Sequence, residues 1–324
     1  MAYACSVSRI SVVPRGGQYC IVSNGDPPPP LCSADKSKAQ LSRIYSVVFD
    51  EQKFGMTNSL RFSRSKPVQK GNPHKITVHQ HIFPAASMRR FLQKNLQKQL
   101  RLHFFDIYRT KFRFAKPEDP IFCADRAWSQ PIEEGRMKRI EDRFQKIADR
   151  ILSAGYSEFN DHELEVIAEF YALWLARAEN RLLSHQDIKV EDAFAGRNVF
   201  SMDERERTEK AGYWMIPGDG TLPMRYANEI IISFKISDYT AQFASKSWGL
   251  IKAVDGEFCV PDKPSHGVIP LTPRLVLRAE YPSSTITKDD LADLNYKMFQ
   301  CAEQYVFARD LTKCPGFIPD PKHR

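Results

Sequence analysis

The sequence predicts an α+β fold, with a helical N-terminal half packed on a mainly antiparallel sheet from the C-terminal half. Two observations carry this reading. Apolar residues recur at helical spacing between Pro84 and Leu182. After Glu229 the pattern changes to short apolar runs bounded by Gly, Pro and Asp. Helices first and strands later do not alternate as a doubly wound parallel sheet requires.

Residues 1–55 read as a disordered or non-native extension. They hold the run Asp26-Pro27-Pro28-Pro29-Pro30 and show no sustained apolar period, and proline runs resist packing. One edge strand at 44–49 is the competing reading, and Met56 could be the true start. Residues 56–324 then form a single domain. Pro84 suits a helix's first turn. Met88, Leu92, Leu96 and Leu100 would form its apolar stripe, and Arg90, Lys94, Lys98 and Arg101 a basic ridge on another face. The segments 104–108 and 111–114 look extended, the second alternating Lys111-Phe112-Arg113-Phe114.

Ser129-Gln130-Pro131 starts the next helix, whose stripe is Met137, Ile140, Phe144, Ile147 and Ile151, with Gly155 as its stop. Asn160 or Asp161 opens the most apolar helix, through Phe170, Tyr171, Trp174 and Leu175. Residues 203–210 suggest a short charged helix and 217–220 a loop. The run 229–236 is a strand or a short buried helix. Asp255-Gly256 between two apolar runs predicts a tight hairpin. Residues 274–280 and 305–308 read as strands, and Thr287 caps a last helix bearing Leu291, Leu294 and Met298.

Composition narrows the class. The chain has 324 residues, 42% of them hydrophobic, and a net charge of +8. That excludes a collagen-like or wholly disordered chain. No apolar run approaches the ~20 residues of a spanning helix, so no membrane is expected. Seven cysteines, an odd number with no Cys-x-x-Cys pair, argue against a disulfide framework and a zinc ribbon. Free thiols suit a cytoplasmic protein. From Arg61 to Lys116 there are fourteen Lys and Arg against one acid, Asp106, so this window carries +13. Such a window suggests nucleic acid or another polyanion as partner, or acidic surface elsewhere in the fold.

The common catalytic signatures are missing: no phosphate loop, no dinucleotide fingerprint, no nucleophile elbow and no His-Glu-x-x-His. Arg181 and His185 come one residue short of the signature of a helical ribonuclease superfamily. Four short features do form an ordered set. His81-Ile82-Phe83-Pro84 leads into Met88-Arg89-Arg90-Phe91. Phe258-Cys259-Val260-Pro261-Asp262-Lys263-Pro264 follows later, then Ile269-Pro270-Leu271-Thr272-Pro273, then Asn295. Over about residues 75–310 this set resembles a bacterial domain-of-unknown-function family, number four-two-three-eight. The chain departs from that pattern with Ile82-Phe83 before the proline and with Lys263. The resemblance implies a bacterial or phage protein and allows a part in phage–host conflict, with no settled activity to carry over. It marks Pro84, Phe91, Pro264 and Asn295 as motif-supporting residues.

The residues themselves allow a chemical reading. His81 heads a helix start, and Asp262 lies between two prolines, where a stiff backbone holds a carboxylate in place. With Arg89, Arg90, Lys94, Lys98 and Arg101 as phosphate clamp, His81 and Asp262 could cleave a phosphodiester as base and orienter. A divalent metal on His81, Asp262 and His266 fits by residue type but not by ligand spacing. The alternative from another class is a non-catalytic protein-interaction module. If His81 and Asp262 share a cleft, the hydrolase reading gains; if not, the basic segment becomes a docking surface.

Overall fold

A computed structural model of the chain describes residues 11–15, 18–22, 67–94, 97–155, 158–181, 187–189, 200–215 and 221–318. The α+β class holds. The chain divides into two compact units. The first takes Met1–Val78, Asp125–Arg136 and Leu182–Ile231; the second takes His79–Ala124, Met137–Arg181 and Ile232–Arg324. The sequence had suggested one domain from residue 56.

In the first unit, Ser11–Arg15 and Gln18–Val22 pair antiparallel, and Gln18–Val22 also pairs with Tyr213–Met215. Part of the N-terminal extension is thus built into a sheet. The strand considered at 44–49, the proline run and the loop at 217–220 lie outside the described residues. The charged helix is Met202–Lys210, started by a capping box in which Ser201 and Glu204 bond each other's backbone N–H. Its inner side carries Glu206 and Glu209, both buried. Glu209 accepts from Arg126 Nη2 at 2.7 Å, Arg225 Nε at 2.9 Å and the Gln130 N–H at 3.2 Å. Glu229 accepts from Trp214 Nε1 at 2.9 Å and from the Ser129 hydroxyl. These donors answer the desolvation cost that burial places on each carboxylate.

The second unit holds two sheets. One runs Val268–Thr272, Leu275–Ala279, Trp248–Ala253, Ser284–Ile286, with the last pair parallel and the others antiparallel. The other links Val260–Pro261, Tyr305–Ala308 and Leu100–Asp106, with Gln93–Lys94 and Lys111–Ala115 also paired to Leu100–Asp106. This second sheet draws strands from both halves of the chain, so the sheet is not a property of the C-terminal half alone. Lys138–Ala154 and Asp161–Asn180 are its long helices, and Phe144 stacks on Phe170 between them. Gly155 ends the first with φ +63, a conformation glycine adopts without penalty. Asn160 and Glu163 form the capping box of the second. Lys288–Gln300 starts from a third capping box, Thr287 with Asp290. Phe83 is fully buried against Trp174, Phe170 and Phe307.

Two expectations need correction. The helix expected from Pro84 to Arg101 is only Ala85–Met88 and a 3-10 turn, Arg89–Phe91. Phe91 is fully buried against Phe307, and Leu92 leaves the helix with ψ 139. The backbone then pairs Gln93 with Arg101 and Lys94 with Leu100, and Lys98 takes φ +58 nearby. Leu100 is 53% exposed, so the fourfold spacing of apolar residues was not a buried stripe. The hairpin at Asp255-Gly256 is also absent. Trp248–Ala253 pairs with Leu275–Ala279, while Val260–Pro261 pairs with Tyr305–Ala308. The turn exists, since Gly256 has φ +92 and a Cβ there would meet Leu291 and Pro315 at 2.9 Å. The return strand fails because the Glu257 and Phe258 N–H groups bond Lys313 O and Pro273 O. The run at 229–236, which the sequence leaves between a strand and a short buried helix, belongs to a helix, Met224–Phe243.

Candidate functional site

His81 lies in the short strand His79–His81 and is half-buried. Its Nε2 is 3.1 Å from Pro117 O. A carbonyl only accepts, so Nε2 carries the hydrogen and Nδ1 keeps the lone pair. Burial, joined by the Arg177 guanidinium, holds the imidazole's pKa below its usual value, although the Pro117 bond and the carboxylates of Glu141 and Glu118 oppose this. His81 is therefore a neutral base at pH 7. Glu118 also pairs with Arg89 at 2.9 Å, and that bond keeps its carboxyl below the usual range.

Asp262 has a different setting. It is 5% exposed, and its two oxygens accept the backbone N–H groups of Glu303 and Gln304 at 2.8 and 2.9 Å. Burial raises its pKa to about 6, against Arg181 and those two bonds. No hydrogen bond or ion pair joins His81 to Asp262, and Asp262 has the ordinary work of pinning a turn before Tyr305–Ala308. Among the described residues no three His, Cys, Asp or Glu side chains are placed to hold a metal ion.

The basic ridge is dispersed with the helix that was to carry it. Arg89 pairs with Glu118, and Arg90 with Asp149 at 2.8 Å. Arg101 bonds Leu100 O and Gln99 Oε1. Lys94 and Lys98 are exposed and have no ion pair among the described residues. The motif residues knit the unit together. Pro84 O accepts from the Met88 N–H at 3.0 Å. Phe91 packs on Phe307, Pro264 is buried, and Asn295 bonds three backbone groups. Arg181 bonds Ile121 O at 2.8 Å and lies over the Tyr305 ring; His185 falls outside the described residues.

The residues missed from the sequence lie on the strand Lys111–Ala115. Phe112 and Phe114 project from one face, 50% and 51% exposed. On the neighbouring strand the register places Phe105 beside Phe112 and His103 beside Phe114. The His103 ring stacks on Phe114 at 4.7 Å and 17°. His103 is itself fixed: its Nδ1 accepts the Leu311 N–H at 3.2 Å, and burial keeps its pKa below the usual value. Arg101 shares this face by strand alternation. Lys111 and Lys116 flank it, exposed and without an ion pair among the described residues. Arg113 points to the other face, over Phe104 and 3.6 Å from Asp106. Strand alternation in 111–114 was the visible signal, but it could not say that Phe112 and Phe114 would stay half-exposed, Phe112 against Phe105 and Phe317 and Phe114 against His103.

No helix among the described residues is long and apolar enough to cross a membrane. The chain matches no protein-family model, no characterised protein and no solved structure. The family resemblance therefore stands on its four ordered motifs alone.

Proposed function

We propose that the protein binds single-stranded nucleic acid on the sheet face of Phe112, Phe114 and His103, with Lys94, Lys98, Arg101, Lys111 and Lys116 holding the phosphates. The observation that carries this reading is the pair of half-exposed phenyl rings beside exposed lysines that have no ion pair among the described residues. Half-exposed aromatic rings offer faces on which bases stack, and unpaired cations follow the backbone. A stacked base contributes about 1–3 kcal/mol by alanine substitution, whichever base it is. Duplex DNA hides its base faces, so the same surface favours a single strand. His81 remains the group with acid–base capacity if the bound strand is cleaved; Asp262 is buried, bonds two backbone N–H groups and makes no hydrogen bond to His81.

Salt dependence tests the electrostatic part. With about four phosphate contacts, the log–log slope of affinity against salt for a single strand is about −3. The double variant Lys111→Ala, Lys116→Ala should bring the slope to about −1.4. A labelled oligothymidylate followed by fluorescence anisotropy reads this directly. A slope near zero, or one indifferent to the double variant, removes phosphate from the account and leaves the aromatic face to a protein partner.

A further inference from the structure

Cys301 follows the helix Lys288–Gln300 as its C-cap and is half-buried. Its Sγ lies 3.8 Å from Nε2 of His266, within hydrogen-bond reach for sulfur. His266 is exposed and holds a left-handed backbone, φ +54, rare for a non-glycine residue. Just beyond it, the Gly267 N–H donates to the Tyr171 hydroxyl at 3.2 Å. Burial pushes the Tyr171 phenol up to about 12. Tyr171 therefore keeps its hydrogen, and the thiol sits in a corner that also holds an imidazole and a phenol.

This corner differs from the surroundings of the other described cysteines. Cys123, Cys259 and Cys314 are buried. Burial pushes the Cys259 thiol up to about 12 and the Cys314 thiol well above its usual value. Those three are inert as nucleophiles and unready to resolve a disulfide formed elsewhere. The His266 imidazole is the basic group within reach of the Cys301 Sγ proton.

We infer that Cys301 and His266 form a reactive thiol site that takes a low-molecular-weight disulfide and forms a mixed disulfide. His266 Nε2 accepts the Sγ proton. The sulfur attacks one sulfur of the small disulfide, a new S–S bond forms, and the old S–S bond breaks. The leaving thiolate takes the proton from His266 and departs as a free thiol; the small disulfide is the oxidant, Cys301 being oxidised and the departing half reduced. The modified residue lies two positions before Glu303, whose N–H helps hold Asp262.

Oxidised glutathione is the probe. The full chain is incubated with it, and adducts are mapped to each cysteine by peptide mass spectrometry. Cys301 should be modified well before Cys123, Cys259 and Cys314. His266→Asn keeps a side chain that tolerates the left-handed backbone and should slow the Cys301 reaction roughly tenfold. His266→Gly suits that backbone still better; it should be slowed alike, and free imidazole should restore part of its rate. A Cys301 rate no faster than that of the three buried cysteines overturns the assignment. So does a wild-type rate in either histidine variant.

Discussion

Replacing Asn295 by alanine is the sharpest test of what the ordered motifs do. Asn295 has no exposed surface. Its Oδ1 accepts the Cys259 N–H at 3.0 Å, and its Nδ2 donates to Glu257 O and to Pro315 O, both at 2.9 Å. The amide thus ties the Gly256 turn and the Pro315 segment to one helix. Alanine leaves a buried N–H and two carbonyls without that partner. Each buried group left unpaired costs about 1–3 kcal/mol, and the Pro315 carbonyl sits at the low end because it is only partly buried, so the loss should be roughly 3–5 kcal/mol. In melting that is a drop of roughly 10 °C. Asn295→Asp sharpens the test. It keeps the shape and the acceptor, but sets a carboxylate oxygen against two carbonyl oxygens, so it should cost as much or more. Urea unfolding followed by tryptophan fluorescence measures both variants. A loss below ~1 kcal/mol for alanine, or an aspartate variant as stable as wild type, would refute the reasoning.

Two further expectations follow from buried carboxylates. Asp262 has a folded pKa of about 6 against an ordinary 3.8, so the folded chain keeps a proton that the unfolded chain loses. Its contribution to stability is complete below about pH 4, falls as pH rises to about 6 and is then flat, a loss on the order of 3 kcal/mol. The stability difference between wild type and Asp262→Asn, measured across that window, should show the slope; a constant difference would contradict it. In the first unit, Glu209→Gln leaves Arg126 and Arg225 without their shared charge partner and should cost roughly 3–5 kcal/mol. Thermal unfolding that shifts by less than 2 °C would show that the two guanidiniums find other partners.

Local chemistry was legible where it was complete within a few residues. Asn160 with Glu163 and Thr287 with Asp290 announce helix starts because both halves of each capping box lie on one turn. Gly155 marks a stop because only its immediate neighbours matter. What distant residues decide was not legible. The spacing of Met88, Leu92, Leu96 and Leu100 matches a helix, yet Phe91 meets Phe307, more than two hundred positions away, and the backbone turns to pair with Leu100 and Arg101. Asp255-Gly256 makes a turn, but the carbonyls that receive the next two N–H groups come from Pro273 and Lys313. The candidate site divides in the same way. The sequence marks His81 and Asp262 as fixed polar residues, and both are held by backbone groups. That they would not bond each other depends on tertiary contacts. So does the exposure of Phe112 and Phe114, which rests on the sheet edge that carries them.

The central claim is that bases stack on those two rings, and one measurement reaches it directly. The double variant Phe112→Ala, Phe114→Ala is compared with wild type for affinity to a single-stranded oligothymidylate and to a duplex of equal length. Both rings are half-exposed, and their buried sides pack on Phe105, Phe317 and His103, so melting is recorded first and binding is compared below the midpoint of the variant. Removing stacking worth ~1–3 kcal/mol per base at two rings should weaken single-strand binding by roughly one and a half to four orders of magnitude, with duplex binding unchanged. A folded variant that still binds the single strand with wild-type affinity would contradict the account.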